Sequence, residues 1–204
     1  MSQINLNFIN QSNDKNNSQI VIFQKNEQLP SDPVVAWKVI ANCAPGESQA
    51  LKLSSDIKIA ASNGEDECTM QHPAAHGQRF TLSKDQEGSK LIKDDSGDPD
   101  AISFVNSLKD SPANVRIYRD GLLLSDIKHI AHGREKTFAF SDALWIGAVY
   151  MVPEGAVIDP HILSDIHQKL ILDGVYSADI VMKGGGQGKG AKPFSFHLEN
   201  VVYV

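Results

Sequence analysis

Three clusters in this 204-residue chain combine residue types and spacings that could carry chemistry. The first is Cys68-x3-His72-x3-His76, preceded by Glu65, Asp66 and Glu67. Thiolate and imidazole are good ligands for zinc, iron or copper, and three of them in a loop could converge on one ion. Against this, Pro73 prevents a continuous helix from presenting all three, the spacing matches no standard zinc module, and no fourth ligand stands out. The second cluster is His197-x-Glu199 on the last strand, where residues i and i+2 share a face. An iron site of the dioxygenase type needs two imidazoles and a carboxylate around an open position, so His129 or His132 would have to complete it. The third is Asp94, Asp95, Asp98 and Asp100, whose hard oxygens could hold calcium in an irregular loop. Those four lack the order of an EF-hand, and a solvated acidic linker is the plainer reading. A divalent metal is the one cofactor these residues suggest.

Other motifs fall away on inspection. The run Gly184-Gly-Gly-Gln-Gly-Lys189-Gly superficially resembles a phosphate loop, but Lys183 and Gly190 stand where a Walker motif needs Gly and Ser or Thr. It precedes a strand, so no helix N-terminus is available to a phosphate. No G-x-S-x-G nucleophile elbow exists. Cys43 aligns with Ile130 in the repeat described below, which reads as a buried apolar thiol. Trp37 and Trp145 sit in strands and read as core residues in preference to a sugar-stacking platform.

The elements that must position these groups are short strands. Ile4, Leu6 and Phe8 alternate with polar residues, Ile20-Val-Ile-Phe23 follows, and Leu51, Leu53, Ile57 and Ile59 mark further strands between turn signals. The apolar stretch from Ala143 to Val152, ended by Pro153, is too short to span a bilayer and reads as a buried strand. The second half answers the first. Phe104 and Asn106 match Phe8 and Asn10 at an offset of 96, and Val115–Tyr118 matches Ile20–Phe23 at 95. Leu124–Ala148 matches Trp37–Ala61 at a constant 87, with Gly46 and Gly133 at the same turn. Phe80–Ser83 is matched to Phe194–His197 at 114.

These matches predict an all-β fold: a β-sandwich of two fused, similar antiparallel sheet units, with one helix inserted in the second. The expected boundaries are 1–92 for the first repeat, 93–100 for an acidic linker and 101–204 for the second repeat, the two sharing one core. The helical insertion is placed at about 153–179. Asp159 can cap it, Pro160 suits its first turn, Gly174 can end it, and Ile162, Leu163, Ile166, Leu170 and Ile171 form an apolar stripe.

A net charge of −6 and the absence of any basic run argue against a nucleic-acid partner. The opening residues lack a secretory pattern and two cysteines are too few for a disulfide scaffold, so a cytoplasmic protein, or one released without a classical signal, is expected.

The stretches INLNFINQSN from Ile4, IVIFQKN from Ile20, VAWKVI from Val35, ADIVMKGGG from Ala178 and PFSFHLENVVYV from Pro193 resemble a family of small bacterial β-sandwich proteins with no established function. Some members of that family bear the name aromatic ring-opening dioxygenase, and the opening phrase also resembles a rhizosphere-expressed protein of rhizobia. The resemblance covers most of the chain and implies the fold, but it brings no catalytic motif to transfer. With no nucleophile, base and oxyanion site assembled, the expected function is that of a non-enzymatic binding or self-associating protein. Its partner would be another protein or a second copy. A carbohydrate- or membrane-surface-binding protein of lectin or toxin type is the alternative, and a metal-dependent, dioxygenase-like enzyme the second.

Overall fold

The computed structural model describes residues 3–16, 18–64, 68–86, 88–166 and 168–204. Glu65, Asp66 and Glu67, which precede the Cys68 cluster, and the opening Met1 and Ser2 lie outside the described residues. Among the described residues the chain is all-β, with strands arranged in four four-stranded sheets and one five-residue helix. No helix among them is long and apolar enough to cross a membrane.

The first half of the chain supplies β1 (Gln3–Asn10), β2 (Gln19–Phe23), β3 (Lys38–Ile40), β4 (Ser48–Ser54), β5 (Ile57–Asn63), β6 (His72–Ala74), β7 (Arg79–Asp85) and β8 (Gly88–Asp94). The second supplies β9 (Ile102–Asn106), β10 (Ala113–Arg119), β11 (Leu122–Ile130), β12 (Glu135–Phe138), β13 (Ala143–Val149), β14 (Gln168–Ile171), β15 (Val175–Gly185) and β16 (Lys192–Tyr203). The short helix α1 (Pro160–Ser164) interrupts the latter set.

The chain does not divide at residues 93–100. One compact unit, unit 1, holds residues 1–24, 35–55 and 142–204; the other, unit 2, holds 25–34 and 56–141. Unit 1 contains the sheets β16-β15-β1-β4 and β14-β13-β2-β3, and unit 2 contains β8-β7-β9-β12 and β6-β5-β10-β11. Each sheet of one unit is therefore the sheet of the other with every strand replaced by its repeat partner. Both repeats contribute four strands to each unit. The acidic segment after Asp94 joins β8 to β9 inside unit 2 and is no linker between folded units.

Register carries the same correspondence. Ile20 pairs with Ile40 across β2 and β3 as Val115 pairs with Ile127 across β10 and β11, at the offsets of 95 and 87. Phe8 lies beside Ile180 in a parallel pair, and Phe104 beside Phe80 in another. These two parallel pairings depart from the wholly antiparallel expectation. They also correct the match of Phe80 to Phe194: the counterpart of Phe80 is Ile180, at an offset of 100. The composition of Phe194–His197 resembled that of Phe80–Ser83, but hydrogen-bonding to the β1 or β9 edge decides equivalence.

Strand alternation places the cores. In unit 1, Leu6, Phe8, Leu53, Ile180, Met182 and Phe196 are buried on one sheet, and Ile20, Ile22, Ile40, Leu144 and Ile146 on the other. In unit 2 the corresponding residues are Phe80, Leu82, Phe104 and Phe138, with Ile59, Val115, Ile117 and Leu124. Removing any one of these phenylalanine rings costs about 3–5 kcal/mol.

The predicted helix is shorter than its apolar stripe. Asp159 does cap it, its Oδ1 accepting from the His161 amide at 2.8 Å, and Pro160 opens the first turn. The helix stops at Ser164, and Gln168–Ile171 instead forms β14, paired with Ala143–Ile146 of β13. A short isolated helix is marginal in water, while the β13 edge offers four residues a ready ladder. Ile166 still turns inward, lying against Gly147 so closely that a Cβ there would sit 2.7 Å from its side chain.

Candidate functional site

Among the described residues, no group of three or more His, Cys, Asp or Glu side chains is placed to hold a metal ion. Cys68 is half-buried and receives a contact from Arg116 Nη1 at 3.3 Å; His72 lies on β6, paired with Ile59, and His76 is exposed in the turn beyond it.

The four aspartates are exposed, and two of them, Asp94 and Asp98, accept from backbone amides two residues on. Asp94 accepts from both the amide and the hydroxyl of Ser96, and the hydroxyl above all holds the Asp94 carboxyl below its ordinary value. Asp98 accepts from the Asp100 amide at 2.9 Å, and Asp95 from Gln78 at 3.4 Å. Asp94 and Asp98 thus cap turns.

His197 is exposed and contacts the Ser195 hydroxyl at 3.2 Å, while Glu199 is held by Lys183 at 2.6 Å. His129 and His132, the proposed completing imidazoles, belong to unit 2, whereas His197 belongs to unit 1. Cys43 behaves as its alignment with Ile130 implied. Burial pushes its thiol up, and the Glu47 carboxylate adds to that.

What the fold does bring together lies at one end of unit 1. Asn10 sits beside Met182, Ile9 opposite Ser48, and Gln19 opposite Val149, so four loops leave the two sheets at the same end. These are 11–18, 41–47, 150–167 and the turn between β15 and β16. Their counterparts in unit 2 are compact. Only two residues separate β7 from β8, and eight separate β5 from β6 where unit 1 has the long segment bearing α1. The two insertions particular to the second repeat thus share one end of one unit.

This end is braced by hydrogen bonds. Asn10 Nδ2 donates to the Cys43 carbonyl at 2.7 Å, the Asn13 amide to Gly184 at 2.8 Å, and the Val152 amide to Gln19 Oε1 at 3.1 Å. Asp14 is buried and accepts from the amides of Asn16 at 2.9 Å and Ser18 at 2.6 Å. Burial alone would raise its pKa, but those amides and the Ser18 hydroxyl outweigh it and hold the carboxyl below its ordinary value. Stability from this group is therefore complete above the ordinary carboxylate range and is lost as pH falls through the lower, folded value. Urea denaturation between pH 5 and 2 should show it: Asp14→Asn is expected to be less stable than the parent at pH 5, the difference shrinking towards pH 2.

Beside this frame stands an exposed apolar apex. The strand expected to run to Val152 ends at Val149, and Tyr150 and Met151 leave the sheet 82% and 72% exposed. At the offset of 87 these residues answer Asn63 and Gly64. Gly64 turns with φ +61, and Met151 adopts nearly the same left-handed conformation, with φ 55. Only glycine enters that region without steric cost, so one repeat has an unstrained polar turn and the other a strained apolar one. The sequence signal was available two and three positions past the end of the matched window, but the apolar character of Tyr150 and Met151 had placed them in the strand. Nearby, a cleft of about 330 Å³ opens between Gly147 and Ala148, Asp165 and Ile166, and Pro193 and Phe194. Its few polar groups pair no nucleophile with a base. No family model, curated protein or solved structure matches the chain.

Proposed function

We propose that the protein is a non-enzymatic binding protein that meets a protein partner, either another chain or a second copy of this one, through the Tyr150–Met151 apex of unit 1. The observation that carries this reading is Met151, an exposed apolar side chain on left-handed backbone where the paired turn has Gly64. Folding alone gains nothing from that choice. A non-glycine residue there costs of the order of 1 kcal/mol, and a solvent-facing methionine returns no burial. Strain held at an exposed apolar tip supports a contact surface. The scattered placement of the histidine and aspartate clusters supports the same reading over a metal-dependent enzyme.

The test restores the quiet turn. Tyr150→Asn combined with Met151→Gly should raise stability by about 1 kcal/mol in urea denaturation. In protein never exposed to denaturant, it should also abolish the growth of apparent mass with concentration expected of the parent chain by light scattering. A parent that stays monomeric at high concentration, or a variant that associates equally well, would overturn self-association through the apex.

A second reading is a lipid or glycan surface. It draws on the exposed Lys189 and Lys192 of the glycine-rich hairpin at the same end, a basic and aromatic mixture suited to an interface. Vesicle sedimentation with anionic lipid and a glycan array distinguish it, a positive result in either being lost in the double variant.

A further inference from the structure

Unit 1 is built from three segments of chain, and most of unit 2 separates the first two, 1–24 and 35–55, from the third. Residues 142–204 supply β13 to β16, and the segment before Ser55 supplies β1 to β4. The halves meet along β1 and β15, in parallel register from Asn5–Ser177 to Asn10–Met182, and along β2 and β13, from Phe23–Trp145 to Gln19–Val149. The strands of unit 2 form no such seam between distant segments of chain. Its strands β5 to β12 follow one another in one stretch.

The earlier part of unit 1, residues 1–24 and 35–55, and the later part, residues 142–204, are also tied differently to the rest of the chain. The earlier one is anchored in unit 2 by residues 25–34: Asn26 donates to the Thr137 carbonyl at 2.8 Å and accepts from the Ala139 amide at 3.0 Å, and Lys136 bridges to Asp32 at 3.3 Å. The later one leaves unit 2 through the single peptide between Ser141 and Asp142. Apart from its seam, the later segment would expose Leu144, Ile146, Ile180 and Met182, all buried in unit 1. It must cover them against a β1–β4 segment, and every copy of the chain carries an identical one.

We propose that the chain associates with a second copy by exchanging residues 142–204, so that β13 to β16 of each molecule complete unit 1 of the other. Exchange keeps every strand pair and every buried side chain of unit 1. Only the backbone at Ser141–Asp142 must change direction. The association uses no new surface and does not depend on the Tyr150–Met151 apex.

A cross-link placed across the seam reads this directly. Asn7 and Asp179 are paired residues of β1 and β15, with Asn7 Nδ2 donating to Asp179 Oδ1 at 3.2 Å. The full chain carrying Asn7→Cys and Asp179→Cys, with Cys43→Ala and Cys68→Ala, is unfolded in guanidinium and refolded reduced over a range of concentrations. Monomer and dimer are then separated, oxidised, and run on a denaturing gel without reductant.

The dimer share should rise with refolding concentration. Dimer should give covalently linked species of twice the 22.2 kDa chain mass, and monomer only internally linked chains. A dimer whose links all stay within single chains would show association by some other surface and overturn exchange. Refolding that yields no dimer at any concentration would do the same. Asn5→Cys with Ser177→Cys, another pair of the same seam, repeats the test without disturbing the Asn7–Asp179 bond. Failure of both pairs to link in the monomer would overturn the seam itself.

Discussion

Asn106→Ala is expected to destabilise the protein by about 3–5 kcal/mol, lowering its thermal midpoint by roughly 15 °C or more, as read by circular dichroism. Asn106 is fully buried at the end of β9. Its amide donates to the carbonyls of Ser111 at 2.9 Å and Ile130 at 2.7 Å, and its side-chain oxygen accepts from Leu108 at 2.9 Å. Alanine removes all three bonds, two of them to the buried Ile130 and Leu108, each loss costing about 1–3 kcal/mol. Asn106→Asp separates shape from hydrogen bonding. It keeps the acceptor and the volume but loses both donors, and should fall with alanine at neutral pH. Asn10 holds the equivalent place in unit 1, donating to Cys43, the counterpart of Ile130, and accepting from Ser12. Even the flanking turns agree, since Gly46 donates to the Asn10 carbonyl and Gly133 to that of Asn106, both at 2.7 Å. An effect confined to Asn106 would show that the Asn10 network does not contribute as its geometry implies.

The other large effect concerns the glycine-rich hairpin. Gly184→Ala should cost about 3 kcal/mol or more, because backbone strain and a backbone clash act together. At φ +97 an added Cβ would lie 2.1 Å from the Pro193 carbonyl oxygen, which cannot give way without moving β16. Gly186→Ala is the control. Its φ of +99 is as unfavourable, but the nearest atom lies 3.8 Å away, so only about 1 kcal/mol of conformational cost is expected. Both tryptophans, Trp37 and Trp145, belong to unit 1, so fluorescence during urea denaturation reports the unit in which the change is made. Equal losses in the two variants would mean that crowding against Pro193 is not what selects glycine at position 184.

The repeat was readable in the sequence because its signal is local. Phe8 and Phe104, Asn10 and Asn106, and Gly46 and Gly133 each keep their chemistry, since strand alternation, a buried amide and a tight turn demand the same residue type wherever they recur. Exchange between repeats was not readable. The two copies present similar edges, so alternation says that β1 needs a neighbour without saying whether β7 or β15 provides it. That choice rests on long-range pairing, and it also explains the false match of Phe80 to Phe194. The helix is shorter than expected for a related reason. Ile162 to Ile171 satisfies a helical period, but Leu170 gains more from the β13 ladder than from another helical turn. Of the candidate site, the sequence supplied the location of the insertions but not the apex. Tyr150 and Met151 look like strand residues until their left-handed partner Gly64 is set beside them.

Besides the excursion of residues 25–34, the passages between the units fall at matching places in the two repeats. The chain crosses at Ser55–Asp56 and again at Ser141–Asp142, and Ser54 and Ser141 are equivalent residues. A contiguous eight-strand block thus lies nested within a split one, in the same strand order. Splicing a further repeat at that serine would add another contiguous block and leave β4 and β13 with the neighbours they have now. However many blocks were added, only one would be stitched together from distant ends. The architecture is extensible in whole units, and its single seam is where such an array would open.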